Sequence, residues 1–515
     1  MSGRTLLTFV AVAAAVAVAL LSDGTLRPRV ATAATLKTGG APVLLPVPSD
    51  PTVSFKIAFR TGTQDDPPGK EGLAALTAQL MSEGATKKHT YPQILELLYP
   101  MAAGYGVRVD KELTTFSGRV HKDNLAAYTG LLLDAVLQPA FDEADFTRLK
   151  QRSKDFIEKT LRYSSDEELG KQTLYTTVFT GTPYGHLNAG TAAGLDAITL
   201  ADVKQFYAMH FTRENVVLAV GGGYDNKLVS RLTTALVALP PGGSDVAPAS
   251  TPAPLQGRSA VLVKKSGQST AISFGFPITA KRGDREFYAL WLANSWLGEH
   301  RNSSSHLYQV IREARGMNYG DYSYIEIFPE GGNRTMPPTG VPRRNQLFEV
   351  WVRPVPNDQA HFALRAAMRE VESLSKNGLT QEQFALTRDF LSKYCLHFAE
   401  TTGDRLGYAL DDRIYGVAAP GNLANFRTIV PQLTLDEVNA AVKKYLRPEN
   451  LVISIVSEKA DQLADDLASG KPSPMTYATP KPASVTDEDK TIEAYPLGLT
   501  RDRIRIVPVE DMFAR

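Results

Sequence analysis

Two hydrophobic patterns recur along the chain, one with the period of a β-strand and one with the period of a helix. Segments with an alternating or β-branched pattern predict strands, and these are TVSFKIAF from Thr52, TTFSGRV from Thr114, STAISFGF from Ser269 and LFEVWVR from Leu347. A helical period places Leu73, Leu76 and Leu80 on one face of the segment GLAALTAQLM. The pattern therefore predicts an α+β fold.

One unit of this pattern occurs twice. The segment AITLADVKQFYAMHFTRENVVLAVGG from Ala197 matches QLTLDEVNAAVKKYLRPENLVISIVS from Gln432. Each copy starts with a threonine followed three positions later by an acidic residue, which predicts a capping box at the start of a helix. The two predicted boxes are Thr199 with Asp202 and Thr434 with Glu437. We therefore predict two homologous α/β-sandwich-like halves, related by tandem duplication and forming a clamshell.

The repeat also sets the predicted domain boundaries. A further long helix is predicted to begin at Asp142 in the first half and at Thr380 in the second. A Pro-rich stretch, LPPGGSDVAPASTPAP, separates the halves. The predicted ranges are an N-terminal domain at 34–238, a linker at 239–257, a C-terminal domain at 258–470 and a tail at 471–515. We expect RIRIVPVEDMF in the tail to form a strand that lies across one of the domains.

The N-terminal segment has the pattern of an export signal. Arg4 precedes an uninterrupted apolar run, Leu6 to Leu21, and the small residues Ala-Thr-Ala end at Ala33. This predicts a signal peptide at 1–33, cleaved near Ala33, and a periplasmic or secreted protein. The alternative is a retained membrane anchor, because the apolar run is slightly long for a signal peptide and slightly short for a membrane span.

Composition narrows the classes of partner and site. The chain has 515 residues, and its 56 Lys and Arg residues are balanced by 55 Asp and Glu residues. Without a basic excess or a basic stripe, we predict no nucleic-acid partner. A single cysteine, Cys395, excludes an internal disulfide and a cysteine-based metal site. We predict that Cys395 is a small core residue on a helix.

Three stretches carry a resemblance to a known family. FRTGTQDDPPGKEGLAALTAQLMSEGATKK from Phe59, TPYGH from Thr182 and LYQVIREARGMNYG from Leu307 are similar, in this order, to segments of the insulinase/pitrilysin family of zinc peptidases, the inverzincins. The resemblance is to a bacterial two-domain member, and it covers essentially the whole chain after the predicted signal peptide. It implies that the family's zinc site would lie on the helix that starts near Gly72.

The zinc motif is degenerate at the aligned positions. Active members carry H-x-x-E-H on this helix, where the two His bind zinc and the Glu activates a zinc-bound water. Aligned on the flanking residues, the two His positions fall on Ala75 and Gln79, and the Glu position falls on Ala78. The resemblance therefore implies no catalytic residue and no metal in this chain.

Few other residues could complete a metal site. The family's third zinc ligand, a Glu on the next long helix, aligns with Phe156, although a small register shift would place Asp155 or Glu158 there. WLGEH, which ends at His300, contains the Glu-His end of the motif and is followed by His306. The glycine and the loop-like residues after it predict a turn rather than the required helix.

A second group of family residues is retained. In the second half of these peptidases an Arg holds the substrate backbone and a Tyr hydrogen-bonds the carbonyl that is attacked, and REARGMNY supplies Arg312 and Tyr319 at that spacing. The structural alternative is that Arg312 pairs with Glu313 or Glu326 at the surface and that Tyr319 packs in a strand.

The zinc-binding residues are lost whereas the Arg and the Tyr are retained, which suggests that two different subunits contribute to one catalytic site. Some family members are heterodimers in which one subunit carries the zinc motif and the other supplies the Arg and Tyr. We expect this chain to be the subunit that supplies the Arg and Tyr, with no cofactor of its own. The zinc would be bound by a homologous partner that carries an intact H-x-x-E-H motif. The expected ligands are peptides or unfolded polypeptide segments. The alternatives are a non-enzymatic peptide-binding or assembly scaffold, and an autonomous hydrolase with a relocated site.

Overall fold

The computed structural model describes residues 40–242, 251–329, 331–341 and 343–515. The predicted signal peptide and residues 243–250 of the predicted linker lie outside the described residues. Within the described ranges, no helix is both long enough and apolar enough to cross a membrane.

The first half contains the strands predicted at Thr52 and Thr114, now β2 and β4. The strands are β1 (Val43–Pro46), β2 (Thr52–Phe59), β3 (Gly104–Val109), β4 (Thr114–His121) and β5 (Val216–Gly222). The helices are α1 (Leu73–Glu83), α2 (Tyr91–Leu98), α3 (Leu125–Leu137), α4 (Glu143–Asp155), α5 (Arg162–Ser164), α6 (Asp166–Val178), α7 (Ala192–Ala197), α8 (Leu200–His210) and α9 (Asn226–Leu236). A π-helical segment, Phe156–Leu161, joins α4 to α5.

The second half contains the other two predicted strands, now β7 and β9. The strands are β6 (Arg258–Lys264), β7 (Ser269–Ile278), β8 (Asp321–Tyr324), β9 (Gln346–Pro356), β10 (Leu451–Ser457) and, from the tail, β11 (Ile504–Pro508). The helices are α10 (Arg285–Gly298), α11 (Ala360–Asn377), α12 (Gln381–Tyr394), α13 (Thr402–Tyr415), α14 (Asn422–Ile429), α15 (Leu435–Tyr445), α16 (Ala460–Ser469) and α17 (Ala483–Ile492). A second π-helical segment spans Tyr308–Glu313.

The two sheets have the same strand order, which confirms the predicted duplication. The first sheet runs β1-β5-β2-β4-β3, and the second runs β6-β10-β7-β9-β8 with β11 added outside β6. In each sheet the first strand of the half pairs in parallel with the last one, β1 with β5 and β6 with β10. The central pairs, β2 with β4 and β7 with β9, are antiparallel.

The predicted capping residues begin the helices that they were expected to begin. The Thr199 hydroxyl accepts the N–H of Asp202 at 3.2 Å before α8, and the Thr434 hydroxyl accepts the N–H of Glu437 at 3.3 Å before α15. Asp142 caps α4 and Thr380 caps α12 in the same way. Each cap satisfies a backbone donor that the first turn of a helix leaves free, which fixes where the chain enters the helix.

Each sheet is covered on one face by its own half and on the other face by a helix of the other half. In the first sheet, Phe55, Ile57 and Phe116 form a core with the apolar face of α1. On the opposite face, Leu406 and Leu410 of α13 pack against apolar residues of β2 and β5. Reciprocally, α6 of the first half packs on the second sheet through residues that include Leu169 and Leu174. The two halves are therefore interlocked by an exchange of helices.

The tail contacts both halves, whereas it was expected to lie across one. β11 extends the second sheet in parallel with β6. Beyond it, Arg162 donates from Nε to the carbonyl of Met512 at 2.9 Å, and the N–H of Ala192 donates to the carbonyl of Phe513 at 3.1 Å. Met512 also packs in the apolar cluster between α6 and the second sheet. The tail therefore reaches the first half because it follows the surface that α6 already shares with the second sheet.

Candidate functional site

Hydrogen bonds within the chain fix the start of α1, the helix that carries the degenerate motif. The Asp66 carboxylate accepts the N–H groups of Gly72 and Ala74, each at 2.7 Å. Burial raises the pKa of Asp66 to about 7. Gly72 has a φ of 106°, and a Cβ at this position would lie 2.8 Å from the carbonyl oxygen of Ala189. This left-handed, closely packed turn therefore favours glycine.

The positions that align with the three zinc ligands lie along one cleft. Ala75, Gln79 and Phe156 all line a cleft of about 460 Å³, which lies between α1, β3 and residues of the second half. The phenyl side chain of Phe156 is 44% exposed. Ala78, at the position of the catalytic Glu, is buried within the core under α1. None of these side chains is a metal ligand, so the residues present do not fit a zinc ion.

The alternatives for the third ligand lie close to Phe156 but differ in position. Asp155 lines an adjoining cleft together with Gln79 and Phe156, and its carboxylate pairs with Lys159 at 2.7 Å. Glu158 lines neither of these two clefts. Phe156 opens the π-helical segment, and such segments often occur at functional sites. The geometry favours Phe156, and then Asp155, as the position that faces α1.

This placement predicts what is needed to rebuild a zinc site. The triple variant Ala75→His, Ala78→Glu, Gln79→His should not retain zinc through dialysis, because only two protein ligands face the cleft. Adding Phe156→Glu should give about one zinc per chain, measured by plasma mass spectrometry, since catalytic zinc sites have three protein ligands.

Two control variants identify any other third ligand. Stoichiometric zinc in the triple variant would contradict the assignment of Phe156. Asp155→Asn or Glu158→Gln in the same background would then show which carboxylate binds the metal.

The other candidate metal ligands are engaged elsewhere. His300 Nδ1 lies 2.5 Å from the Tyr324 hydroxyl, and His306 Nε2 lies 2.6 Å from a carboxylate oxygen of Glu370. α10 ends at Gly298, before Glu299 and His300, as the predicted turn requires. Cys395 is buried at the end of α12, as predicted. Among the described residues, no three His, Cys, Asp or Glu side chains form a group that could hold a metal.

A buried ion pair connects the two halves at the cleft. Arg343 donates from Nε to Asp110 at 2.6 Å, and Asn188 donates to the same carboxylate at 3.0 Å. Burial alone would raise the pKa of Asp110, but Arg343 outweighs burial and holds that pKa below its usual value. Burial and the nearby Arg343 charge lower the pKa of Lys111 to about 7. Sequence analysis missed these residues, and the charged run DKE at Asp110 is the one local signal that they had.

Arg312 and Tyr319 lie outside the cleft of their own chain. Arg312 is in the second π-helical segment and donates to Glu313 at 2.6 Å, which is one of the surface pairs weighed from the sequence. Glu326 instead pairs with Arg282. Tyr319 precedes β8 and is 80% exposed, so it does not pack in a strand. Both side chains therefore lie at the surface of this chain, where a second molecule can reach them.

Comparisons with known proteins cover most of the chain. A family model described as Insulinase (Peptidase family M16) matches residues 43–191. A second model, described as Peptidase M16 inactive domain, matches residues 197–391. In fold, the chain is similar to the crystal structure of a peptidase M16 inactive domain from Pseudomonas fluorescens, with a TM-score of 0.70, 21% identity and coverage of 80% of this chain and 94% of that one.

Curated relatives match over a similar length. An uncharacterized zinc protease of Streptomyces coelicolor is 25% identical over 82% of this chain and 89% of its own length. A protein of Helicobacter pylori named as a non-peptidase homolog is 23% identical over 78% of this chain and 88% of its own length. Since the two family models match successive segments of the chain and its fold agrees with them, the chain belongs to the insulinase family of peptidases, peptidase family M16.

Proposed function

We propose that this chain is the non-catalytic subunit of a heterodimeric metalloendopeptidase of the insulinase family. In this proposal it binds peptide segments and supplies Arg312 and Tyr319 to a site whose zinc belongs to a homologous partner with an intact H-x-x-E-H motif. The observation that carries the proposal is that Ala75, Gln79 and Phe156 line the cleft where the zinc would lie, while Arg312 and Tyr319 do not line that cleft.

The loss of catalysis in this chain has two kinds of support. Ala, Gln and Phe side chains supply neither zinc ligands nor a general base. A relative that covers most of the chain is named a non-peptidase homolog, and the second matching model is described as an inactive domain. The Streptomyces relative is named a zinc protease, so the family includes proteins with both kinds of name.

The retained cleft has the form of a peptide-binding groove. Its wall includes residues of β3, which is the edge strand of the first sheet. An edge strand has unpaired backbone N–H and C=O groups on one side, to which an extended peptide can hydrogen-bond as an added strand. Val107, Val109 and Leu161 give the cleft apolar surface for a side chain of that peptide.

The exposed position of Arg312 and Tyr319 would allow them to contact a substrate that is bound to another subunit. A guanidinium offers a fork of donors for carbonyl oxygens, and a phenol can donate a hydrogen bond to a developing oxyanion. Both groups need contact with substrate, which their own cleft does not provide. A partner that faces this surface could bring its zinc-bound substrate to them.

Reconstitution tests the proposal. The purified chain is mixed with a family homologue that carries H-x-x-E-H, the complex is isolated by size-exclusion chromatography, and cleavage of a quenched unstructured peptide is measured. We expect this chain alone to be inactive and the isolated complex to cleave the peptide much faster than the homologue alone. A complex that forms without any gain in cleavage would contradict the proposal.

The alternative is a non-enzymatic peptide-binding or assembly scaffold of the same fold. It is favoured by the contact between Arg312 and Glu313, which gives the guanidinium a partner without any substrate. The reconstitution separates the two, because a scaffold would bind a partner or a peptide and leave the rate of cleavage unchanged.

We also propose that the chain acts in the periplasm or after secretion. The support is the sequence of the first 33 residues, with Arg4, the apolar run and the small residues before Ala34. N-terminal sequencing of the exported protein should begin near Ala34, and a protein that still begins at its first residue would favour the membrane anchor.

A further inference from the structure

A second pocket lies on the face of the first sheet opposite to α1. It has a volume of about 580 Å³ and is walled by β2, β3 and β4 on one side and by segments of the second half on the other. We call it the back-face pocket, and its lining residues from the sheet are Lys56, Arg108, Thr115 and Ser117. Lys56, Thr115 and Ser117 face away from α1, since their neighbours Phe55, Ile57 and Phe116 form the core beneath that helix. Arg108 lines both this pocket and the cleft beside α1.

Two cations on the sheet side of the back-face pocket, Lys56 and Arg108, form no salt bridge with a carboxylate among the described residues. Lys56 donates from Nζ to two neutral hydroxyls, those of Ser117 at 3.2 Å and Thr339 at 3.3 Å. Burial lowers the pKa of Lys56, the Asp411 and Asp404 carboxylates act against burial, and the nearby Arg108 charge lowers this pKa further. A further anion beside Lys56 and Arg108 would oppose the effects of burial and of Arg108.

Each carboxylate of the far wall has a hydrogen-bond partner of its own. Glu400 lies 3.1 Å from Nδ1 of His397, and Asp404 accepts the Thr401 hydroxyl at the start of α13. The polar groups on the sheet side of the pocket are therefore cations and hydroxyls, a set of hydrogen-bond donors that suits an acidic group.

The pairing register of the strands relates the position of Lys56 to the sheet edge at β3. Lys56 of β2 lies opposite Ser117 of β4, and Ser117 lies opposite Gly106 of β3. A Cβ placed on Gly106 would meet nothing within 4 Å, so the sheet is open above this residue. A residue added beside Gly106 on a further strand would lie about 10 Å from Ser117, since neighbouring strands are about 4.8 Å apart.

Successive residues of a strand point to opposite faces of its sheet. A peptide paired with β3 therefore directs one side chain into the apolar cleft beside α1 and the next one over Gly106 toward Lys56 and Arg108. We propose that the back-face pocket binds an acidic side chain of this peptide, so that the chain prefers segments in which a Glu or Asp adjoins an apolar residue. This inference rests on the proposed peptide-binding function.

Paired peptides test this preference on the full-length chain. Two fluorescein-labelled peptides of equal length differ only in the residue that follows the apolar anchor, Glu in one and its neutral isostere Gln in the other. Fluorescence anisotropy gives their dissociation constants. We expect the Glu peptide to bind about 10-fold more tightly, because a cation forms a stronger hydrogen bond with a carboxylate than with a neutral amide.

Substitutions in the back-face pocket test whether this pocket causes the preference for the Glu peptide. Arg108→Gln and Lys56→Met should each reduce the Glu-to-Gln ratio toward one. Lys56 does not line the cleft beside α1, so Lys56→Met should also leave the affinity for the Gln peptide close to that of wild type. Arg119→Gln is the matched control, because Arg119 is a cation of the same sheet, on β4, but does not line the pocket. It should keep the full preference.

The outcomes separate this inference from the function on which it rests. Equal binding of the two peptides, or a preference that survives both pocket variants, would overturn the acidic subsite and leave peptide binding in place. No binding of either peptide would overturn peptide binding itself and the subsite with it.

Discussion

Tyr319→Phe is expected to lower kcat of the reconstituted complex by about 10² to 10³, with little change in KM. Loss of one donor to a developing oxyanion typically has an effect of this size, and it acts on the transition state more than on the bound substrate. Folding and assembly should be intact, because the phenol is 80% exposed and the substitution removes one oxygen atom. The measurement is steady-state cleavage of a quenched peptide, with assembly checked by size-exclusion chromatography.

Arg312→Ala should act differently from Tyr319→Phe in the same assay. Its guanidinium would hold the substrate backbone before and during the reaction, so its loss should raise KM as well as lower kcat. Tyr99→Phe is the matched control, because Tyr99 is also an exposed tyrosine but lies in the first half beside α2. Wild-type kinetics for Tyr319→Phe and Arg312→Ala in an assembled, active complex would contradict the role assigned to these residues and favour the scaffold.

Arg343→Ala is expected to lower the free energy of unfolding by about 3 to 5 kcal/mol. The reason is that the substitution leaves the Asp110 carboxylate buried without its partner, and an unpaired buried charge is strongly destabilising. Urea denaturation followed by circular dichroism measures the change. Arg344→Ala is the matched control, since Arg344 pairs with Glu112 but its side chain is 26% exposed, and the effect should be smaller.

The Asp110 pair also predicts a double-mutant result and a pH dependence. Asp110→Asn combined with Arg343→Ala should be less destabilised than Arg343→Ala alone, because neither charge of the pair remains buried without its partner. In wild type the pKa of Asp110 is below its unfolded value, so the pair stabilises the fold above about pH 4 and this contribution is lost as the pH falls through the folded pKa. In Arg343→Ala, burial should raise the pKa of Asp110, so acidification should stabilise the variant relative to wild type. A difference between the two proteins that is constant from pH 7 to pH 4 would contradict this assignment.

Much of the fold follows from local signals in the sequence. The alternating segment at Thr52 is β2 over its full length, and the threonine caps at Thr199 and Thr434 begin α8 and α15. These features depend on residues close to one another in the chain. The duplication could be predicted because the same local signals recur at the same spacing in both halves.

Contacts between the halves could not be predicted in this way. Arg343 and Asp110 are 233 positions apart. The hydrophobic pattern of α6 or α13 can indicate a buried face but not which sheet that face covers. The same reason explains why the back-face pocket was missed. Lys56 and Arg108 are ordinary surface residues in the sequence and face one cavity only after β2, β4 and β3 have paired.

Only part of the candidate site could be predicted from local patterns in the sequence. The aligned positions Ala75 and Gln79 lie one helical turn apart, so their shared cleft follows from the helix alone, whereas Phe156 reaches the same cleft only through the packing of α4 against α1. Arg312 and Tyr319 were identified by resemblance, and nothing in their local pattern indicated that they would lie outside the cleft of their own chain.

The zinc content of the purified chain, measured together with peptide cleavage, tests whether this chain has lost the zinc site of its family. The protein is expressed in zinc-supplemented medium, dialysed without chelator and analysed by plasma mass spectrometry. We expect far less than one zinc per chain and no cleavage of an unstructured peptide, because none of Ala75, Gln79 and Phe156 can bind the metal. About one zinc per chain, with cleavage that a chelator abolishes, would contradict this expectation.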